Sequence, residues 1–165
     1  MATQTEADVG QKGGKYLTFG LAEETYGLEI LKVREIMGLM DITAVPRTPD
    51  FVKGVINLRG KVIPVVDLRL KFGMPEAQHT EKTCIIVVQV GTVEMGILVD
   101  KVSEVLNIAS GEIEDTPSFG VSVNTDFILG LGKAHGKVTI LLDIGTVLSK
   151  DDLAVVAETG QDPKA

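Results

Sequence analysis

The chain has 165 residues, of which 44% are hydrophobic and 24% charged, the balance of a folded protein of one domain or two small lobes. A formal net charge of −7 argues against broad binding to nucleic acid or to an anionic membrane, and 1 cysteine excludes an intramolecular disulfide and a cysteine-rich metal site. Because the first residues lack the layout of a signal peptide and no apolar run approaches the roughly 20 residues that span a bilayer, we expect a cytoplasmic protein.

Short apolar segments recur along the chain, with turn residues between them. Arg59-Gly60 and Gly91-Thr92 each separate two such segments, which is typical of tight hairpins. Strands of this length with frequent glycine favour small β-barrels over a parallel sheet with crossover helices. The predicted strands are 16–21, 25–30, 52–58, 61–66, 84–90, 93–99, 127–131 and 137–142.

Helices are expected to be few and short. Asp67 and Asp143 can each cap the stretch that follows, so helices are predicted at 67–72 and 143–149. The polar residues at 1–14 and the residues at 151–165 are expected to be flexible tails.

Two sequence patterns recur in the same order in both halves of the chain. Residues 27–36 and 96–105 both read G-φ-x-φ-x-K-V-x-E-φ, where φ is aliphatic. A Gly-Lys-Val sequence with Asp five residues after the Val stands at 60–67 and again at 136–143. This repetition predicts two similar lobes of about 65 residues, which should share a core because each is marginal alone. The polar stretch 74–82 is the expected boundary.

Residue types that usually catalyse reactions are scarce and scattered. His79 and His135 both fall in predicted loops or turns, so solvated imidazoles explain them better than a shared site. Cys84 begins an aliphatic strand and is expected to pack as a small hydrophobe. The Gly-rich segment 130–137 has neither the glycine spacing nor the following helix of a phosphate-binding loop. We therefore expect no catalytic residue, no cofactor and no metal.

Arg59 and Glu35 are the charged residues whose positions suggest a role. Arg59 stands at a predicted hairpin tip, where it is either a solvated turn residue or an anchor for a partner carboxylate. Glu35 follows the second predicted strand and is either a surface acid or a partner for a basic or polar residue of another protein. Leu31, Val33 and Val105 are expected in the core, unless several are exposed together as a docking patch.

Several longer segments carry a recognisable family pattern: VREI at 33–36, VINLRGKVIPVVDLRLKFG at 55–73, GILVD at 96–100, VSEVL at 102–106 and FILGLG at 127–132. Together they resemble the CheW family of bacterial chemotaxis coupling proteins. The likeness covers about 15–149, and the string NLRG…P…DLR at 57–69 is its most specific part. The sequence shows no further catalytic domain, which favours a stand-alone coupling protein over the regulatory end of a CheA-type kinase.

The resemblance implies an all-β fold with short helices, in which two intertwined five-stranded barrels of the Src-homology-3-like kind pack together. The CheW-like domain would span 15–150, with the barrels at about 15–78 and 79–149. The implied function is that of a non-enzymatic adaptor at membrane-bound receptor arrays. It would join the cytoplasmic tips of methyl-accepting chemotaxis receptors to the regulatory domain of a CheA-type histidine kinase, without inserting into the membrane.

The resemblance also implies which residues contact each partner. The kinase-facing candidates, which are the weaker set, are Ile30, Leu31 and Ile36. Cys84 stands where other members carry a β-branched residue, and the turn at 91–94 is expected to vary freely. The receptor-facing candidates are Val33, Glu35, Arg59, Gly96 and Val105.

Two alternatives remain open at this point. The same recognition surface would serve a CheW-like adaptor in a non-flagellar pathway that controls pili or surface motility. A more remote alternative is a β-barrel that binds a small ligand. That function needs a roomy pocket with convergent polar groups, whereas Val, Ile and Leu are expected to fill these small lobes.

Overall fold

The computed structural model describes residues 13–116, 127–134 and 136–147. The expected tails lie outside these residues apart from Gly13 and Gly14, and so does His135. The described strands are β1 (Gly14–Leu21), β2 (Glu24–Glu29), β3 (Val33–Gly38), β4 (Val52–Leu58), β5 (Lys61–Asp67), β6 (Cys84–Val90), β7 (Val93–Val99), β8 (Lys101–Ile108), β9 (Ile113–Glu114), β10 (Ile128–Ala134) and β11 (Lys137–Leu142). Two short helices, α1 (Leu68–Lys71) and α2 (Ile144–Val147), accompany 3₁₀ turns at Ile30–Lys32 and Ser110–Glu112.

The predicted hairpins and helix caps are confirmed. Strands β1 and β2, β4 and β5, β6 and β7, and β10 and β11 pair antiparallel. The Asp67 carboxylate accepts hydrogen bonds from the backbone N–H groups of Arg69 and Leu70 at 2.9 and 3.3 Å, and so caps α1. Asp143 accepts from the Gly145 N–H at 3.1 Å at the start of α2. The edge strands β3 and β8 were not predicted.

The strands form two sheets that repeat one arrangement. Sheet 1 has the order β8-β1-β2-β11-β10-β9, and sheet 2 has the order β3-β6-β7-β5-β4. Each contains one parallel pair, β2 with β11 and β5 with β7. The expected all-β fold of two intertwined five-stranded units is confirmed, and the two-residue strand β9 adds a sixth strand to sheet 1.

The chain crosses between the sheets inside the two repeated sequence patterns. The first pattern runs from β2 in sheet 1 to β3 in sheet 2, and the second runs from β7 in sheet 2 to β8 in sheet 1. The first half of the chain therefore gives its first two strands, β1 and β2, to sheet 1, which strands of the second half complete. The second half gives β6 and β7 to sheet 2, which strands of the first half complete. The expected division at 74–82, with barrels at 15–78 and 79–149, does not separate the sheets, because that segment joins β5 and β6 of sheet 2. Its polar composition reflects exposure to solvent rather than a change of sheet.

The apolar core consists of three clusters of buried residues. The largest cluster fills the space between the sheets and takes residues from both, including Phe19 and Leu28 of sheet 1 and Val88 and Ile97 of sheet 2. A smaller cluster of Tyr16, Ile108 and Leu141 belongs to sheet 1. The interior of sheet 2 is filled by Ile56, Ile63, Val65, Ile85, Val87 and Leu98.

A half-buried ion pair ties the sheets together where the chain crosses at Asp100. Arg69, in α1 after sheet 2, donates from Nε and Nη2 to the two carboxylate oxygens of Asp100 at 2.8 and 2.7 Å. The Ala22 N–H, in the β1–β2 turn of sheet 1, donates to the same carboxylate at 2.8 Å. The hydrogen bonds from Arg69 are the main reason that the pKa of Asp100 lies below its ordinary value. Among the described residues, no helix has the length and apolar character needed to cross a membrane.

Candidate functional site

The β4–β5 hairpin turns through two residues, Arg59 and Gly60, in left-handed conformations with φ of 53° and 87°. Two positive φ values define the tight turn whose twist matches that of paired strands, and glycine adopts the second position without strain. The Asn57 Oδ1 accepts a hydrogen bond from the Gly60 N–H at 2.8 Å and fixes the turn. Arginine at the first position adopts a conformation that costs an L-residue about 1 kcal/mol or more, so the backbone does not explain its presence.

The Arg59 side chain forms a two-pronged ion pair with Glu35. Its Nη2 and Nη1 donate to the two carboxylate oxygens of Glu35 at 2.5 and 3.3 Å. The pair joins the tip of the β4–β5 hairpin to β3. Because β4 and β3 are the two edge strands of sheet 2, the pair links opposite edges of that sheet. The hydrogen bond from Arg59 lowers the pKa of Glu35 below its ordinary value. Because the Arg59 side chain is 70% exposed, the fork stays accessible to another molecule.

Arg59 and Glu35 border an open concavity of about 480 Å³ at the end of sheet 2. Val33 and Leu58 line it, and the buried side chains of Ile63 and Val87 form part of its apolar wall. Its remaining lining residues are Arg34, Lys61 and Glu94. The structure therefore brings together the predicted residues Val33, Glu35 and Arg59.

Sequence reasoning missed Glu94, which it placed in a freely varying turn. Glu94 belongs to β7 and accepts a hydrogen bond from Lys61 Nζ at 2.6 Å, while Arg34 Nε lies 3.6 Å from its other carboxylate oxygen. The hydrogen bond from Lys61, helped by the charge of Arg34, lowers the pKa of Glu94. A signal was present in the sequence, because Lys61 and Glu94 both stand beside hairpin turns of predicted strands.

Two other receptor-facing candidates lie elsewhere. Gly96 is buried in β7, where an added Cβ would stand 2.8 Å from the Ile85 Cγ2. It therefore lies beneath the surface rather than on it. Val105 is 48% exposed on β8, at the edge of sheet 1, and does not line the concavity.

Two of the three kinase-facing candidates, Ile30 and Leu31, lie at the crossing from β2 to β3, and the third, Ile36, lies within β3. Leu31 is 91% exposed in the 3₁₀ turn, and Ile36 is exposed on β3. Ile30 is partly buried and packs against the core between the sheets. Leu31 was expected in the core unless several of Leu31, Val33 and Val105 were exposed together, and the core assignment of Leu31 is wrong, because its side chain is almost fully exposed.

Charged and apolar side chains line the concavity at this end of sheet 2. The described residues contain no group of three or more His, Cys, Asp or Glu side chains placed to hold a metal ion. Cys84 is partly buried at the start of β6, and its thiol donates a hydrogen bond to the Lys82 carbonyl oxygen at 3.1 Å. The concavity offers charged hydrogen-bonding groups around an apolar wall, which suits a side chain of another protein.

Comparison with known proteins assigns this arrangement to a family. The family model described as a CheW-like domain matches residues 15–152. The chain belongs to the CheW family. It is similar to the chemotaxis protein CheW of Klebsiella aerogenes, with 42% identity over 144 residues that cover 87% of each chain. It is also similar to the chemotaxis protein CheW of Helicobacter pylori, with 32% identity over 154 residues, 90% of this chain and 93% of that one.

A solved structure agrees with the CheW assignment. The crystal structure of the scaffolding protein TtCheW from Thermoanaerobacter tengcongensis superimposes with a TM-score of 0.77 at 36% identity. The match covers 86% of this chain and 96% of that chain. The fold and the family inferred from the sequence are therefore both confirmed.

Proposed function

We propose that this CheW-family chain is a chemotaxis coupling adaptor that holds chemoreceptors and a CheA-type histidine kinase in one complex. The names of its relatives, chemotaxis and scaffolding proteins, support chemotaxis over a pathway for pili or surface motility. Filling of the sheet 2 interior by aliphatic side chains disfavours the ligand-binding barrel. The adaptor is not an enzyme, and it works in the cytoplasm beside membrane-bound receptor arrays.

The receptor tip docks at the concavity bordered by Arg59 and Glu35. The observation that carries this proposal is the Arg59 fork, held at a hairpin tip by a strained backbone and left largely exposed. Val33 adds apolar contact from the concavity, and Val105 adds exposed apolar surface on sheet 1. Gly96 contributes indirectly, because a larger residue there would displace the packing behind the concavity.

The kinase regulatory domain contacts the crossing from β2 to β3. Leu31 supplies the exposed apolar anchor and Ile36 extends the surface along β3, while Ile30 fixes the turn from below. This surface differs from the concavity, so one adaptor can hold both partners at once. Signal transfer then requires only that the adaptor bind two states of the assembly with unequal affinity.

Binding of a purified cytoplasmic receptor fragment to three variants tests the receptor site. Arg59→Glu is expected to weaken binding strongly, whereas Lys133→Glu should bind as wild type, since Lys133 forms a similar exposed ion pair with Glu114 on sheet 1. The swapped variant Arg59→Glu with Glu35→Arg restores an ion pair within the protein. If recognition needs the cation at position 59, the swapped variant stays defective. Full recovery would show that the pair is only structural.

Leu31→Glu tests the kinase surface. Because Leu31 is almost fully exposed, the fold should be unaffected, and binding to the kinase regulatory domain should fall while receptor binding is retained. Unchanged kinase binding by Leu31→Glu would place the kinase contact elsewhere.

A further inference from the structure

The concavity holds more charge than the Arg59–Glu35 pair requires. Three cations, Arg34, Arg59 and Lys61, stand against two carboxylates, Glu35 and Glu94, so the group carries one net positive charge. The whole chain carries a formal charge of −7. Because the concavity is locally positive, it attracts an anionic group even though the protein as a whole is acidic.

A β-bulge brings Arg34 to the concavity. In a regular strand Arg34 and Glu35 would face opposite sides, since side chains alternate. The pairing of β3 with β6 shifts register between Val33 and Glu35, and Arg34 is the extra residue. Bulges re-aim side chains in this way, and Arg34 and Glu35 consequently line the same concavity.

Glu94 holds the two additional cations in place. It hydrogen-bonds Lys61 and lies beside Arg34, and its own side chain is less exposed than either cation. The two cations share a single carboxylate, so they retain capacity for a second one. The apolar wall next to them, formed by Ile63 and Val87 among others, calls for an apolar group on the same partner.

We propose that Arg34 and Lys61 determine which receptors this adaptor binds, by selecting a receptor surface with a carboxylate next to the apolar side chain that enters the concavity. Glu94 positions the two cations and occupies them while the concavity is empty. This inference rests on the proposed receptor site and adds the chemistry of its preferred partner.

Charge reversal of Lys61 with a matched control tests the inference. Lys61 and Lys133 each form a 2.6 Å ion pair with a glutamate, and their side chains are 66% and 52% exposed. Lys61→Glu and Arg34→Glu are each expected to weaken binding of a cytoplasmic receptor fragment about fivefold to tenfold at low salt, and less at high salt. Lys133→Glu should bind as wild type. Urea midpoints close to that of wild type would show that the variants are folded.

Reversal on the receptor completes the test. Exposed Asp and Glu residues of the receptor fragment are changed to Lys one at a time, and at least one of these fragments should bind Lys61→Glu better than it binds the wild-type adaptor. Equal binding by Lys61→Glu and Lys133→Glu, or a loss that salt does not reduce, would overturn the inference and leave the receptor site standing. If the wild-type adaptor fails to bind the fragment, the proposed receptor site and the inference both fall.

Discussion

The ion pair between Asp100 and Arg69 is predicted to contribute more to stability than a more exposed ion pair such as that between Lys133 and Glu114. The Asp100 carboxylate accepts two hydrogen bonds from Arg69 and one from the Ala22 N–H. The side chains of Arg69 and Asp100 are only 18% and 28% exposed, so solvent screens the pair weakly. A hydrogen bond to a charged group contributes about 1.5–3 kcal/mol, against about 1 kcal/mol for a neutral one. Asp100→Asn also turns an amide donor toward the guanidinium, so we expect a loss of about 2–3 kcal/mol.

Urea denaturation of wild type, Asp100→Asn and Glu114→Gln measures this difference at neutral pH. Glu114 forms an exposed pair with Lys133, and its loss should change the free energy of unfolding by no more than about 0.5 kcal/mol. If Asp100→Asn costs no more than Glu114→Gln, then the pair does not hold the sheets together.

The stability contributed by Asp100 should also depend on pH. Its pKa is lowered in the folded protein, so the unfolded chain takes up the proton first as pH falls. The contribution is complete above the unfolded pKa of about 4 and is lost as pH falls below it toward the folded value. The difference between wild type and Asp100→Asn should therefore shrink in acid. A difference that is constant down to strongly acidic pH would contradict the assignment.

Four substitutions, one in the β4–β5 turn and three at glycines, give further tests. Arg59→Asn creates Asn-Gly, which favours this turn type, so the urea midpoint should hold or rise while receptor affinity falls at least about fivefold. Gly96→Ala places a methyl against Ile85 in a filled interior and should cost about 1–3 kcal/mol of unfolding free energy, so its binding defect should follow its folding defect. Gly54→Ala would meet a backbone carbonyl at a φ of 140° and should cost about 2–4 kcal/mol, whereas Gly111→Ala, with open space, should be nearly neutral in the same titration. A mild Gly54→Ala or a severe Gly111→Ala would refute the packing described at these positions.

Hairpins were predictable because their information is local. Strands β6 and β7 begin and end where the sequence predicted, since a glycine turn separates two runs of aliphatic residues. Edge strands β3 and β8 were missed because each mixes exposed charged and apolar residues, which resembles a loop as much as a strand. Their pairing is settled by partners distant in sequence.

The exchange of strands between sheets could not be read from periodicity. Alternation of apolar residues shows which face of a strand is buried, but both sheets bury a face in the shared core. The repeats 27–36 and 96–105 identified equivalent segments, while their crossing in opposite directions appears only in the topology. The bulge at Arg34 could not be predicted from the sequence either, because the register of β3 depends on its pairing with β6.

The two crossings at Ile30–Lys32 and Asp100 bear on how the molecule responds to force. Rotation of one sheet against the other would strain the chain at both crossings and the ion pair between Arg69 and Asp100. It would also displace the apolar side chains that pack between the two sheets. Such a body is stiff, since close-packed interiors transmit strain rather than absorb it. A displacement applied at the Arg59 hairpin would therefore be transmitted to the exposed side chain of Leu31 at the crossing from β2 to β3.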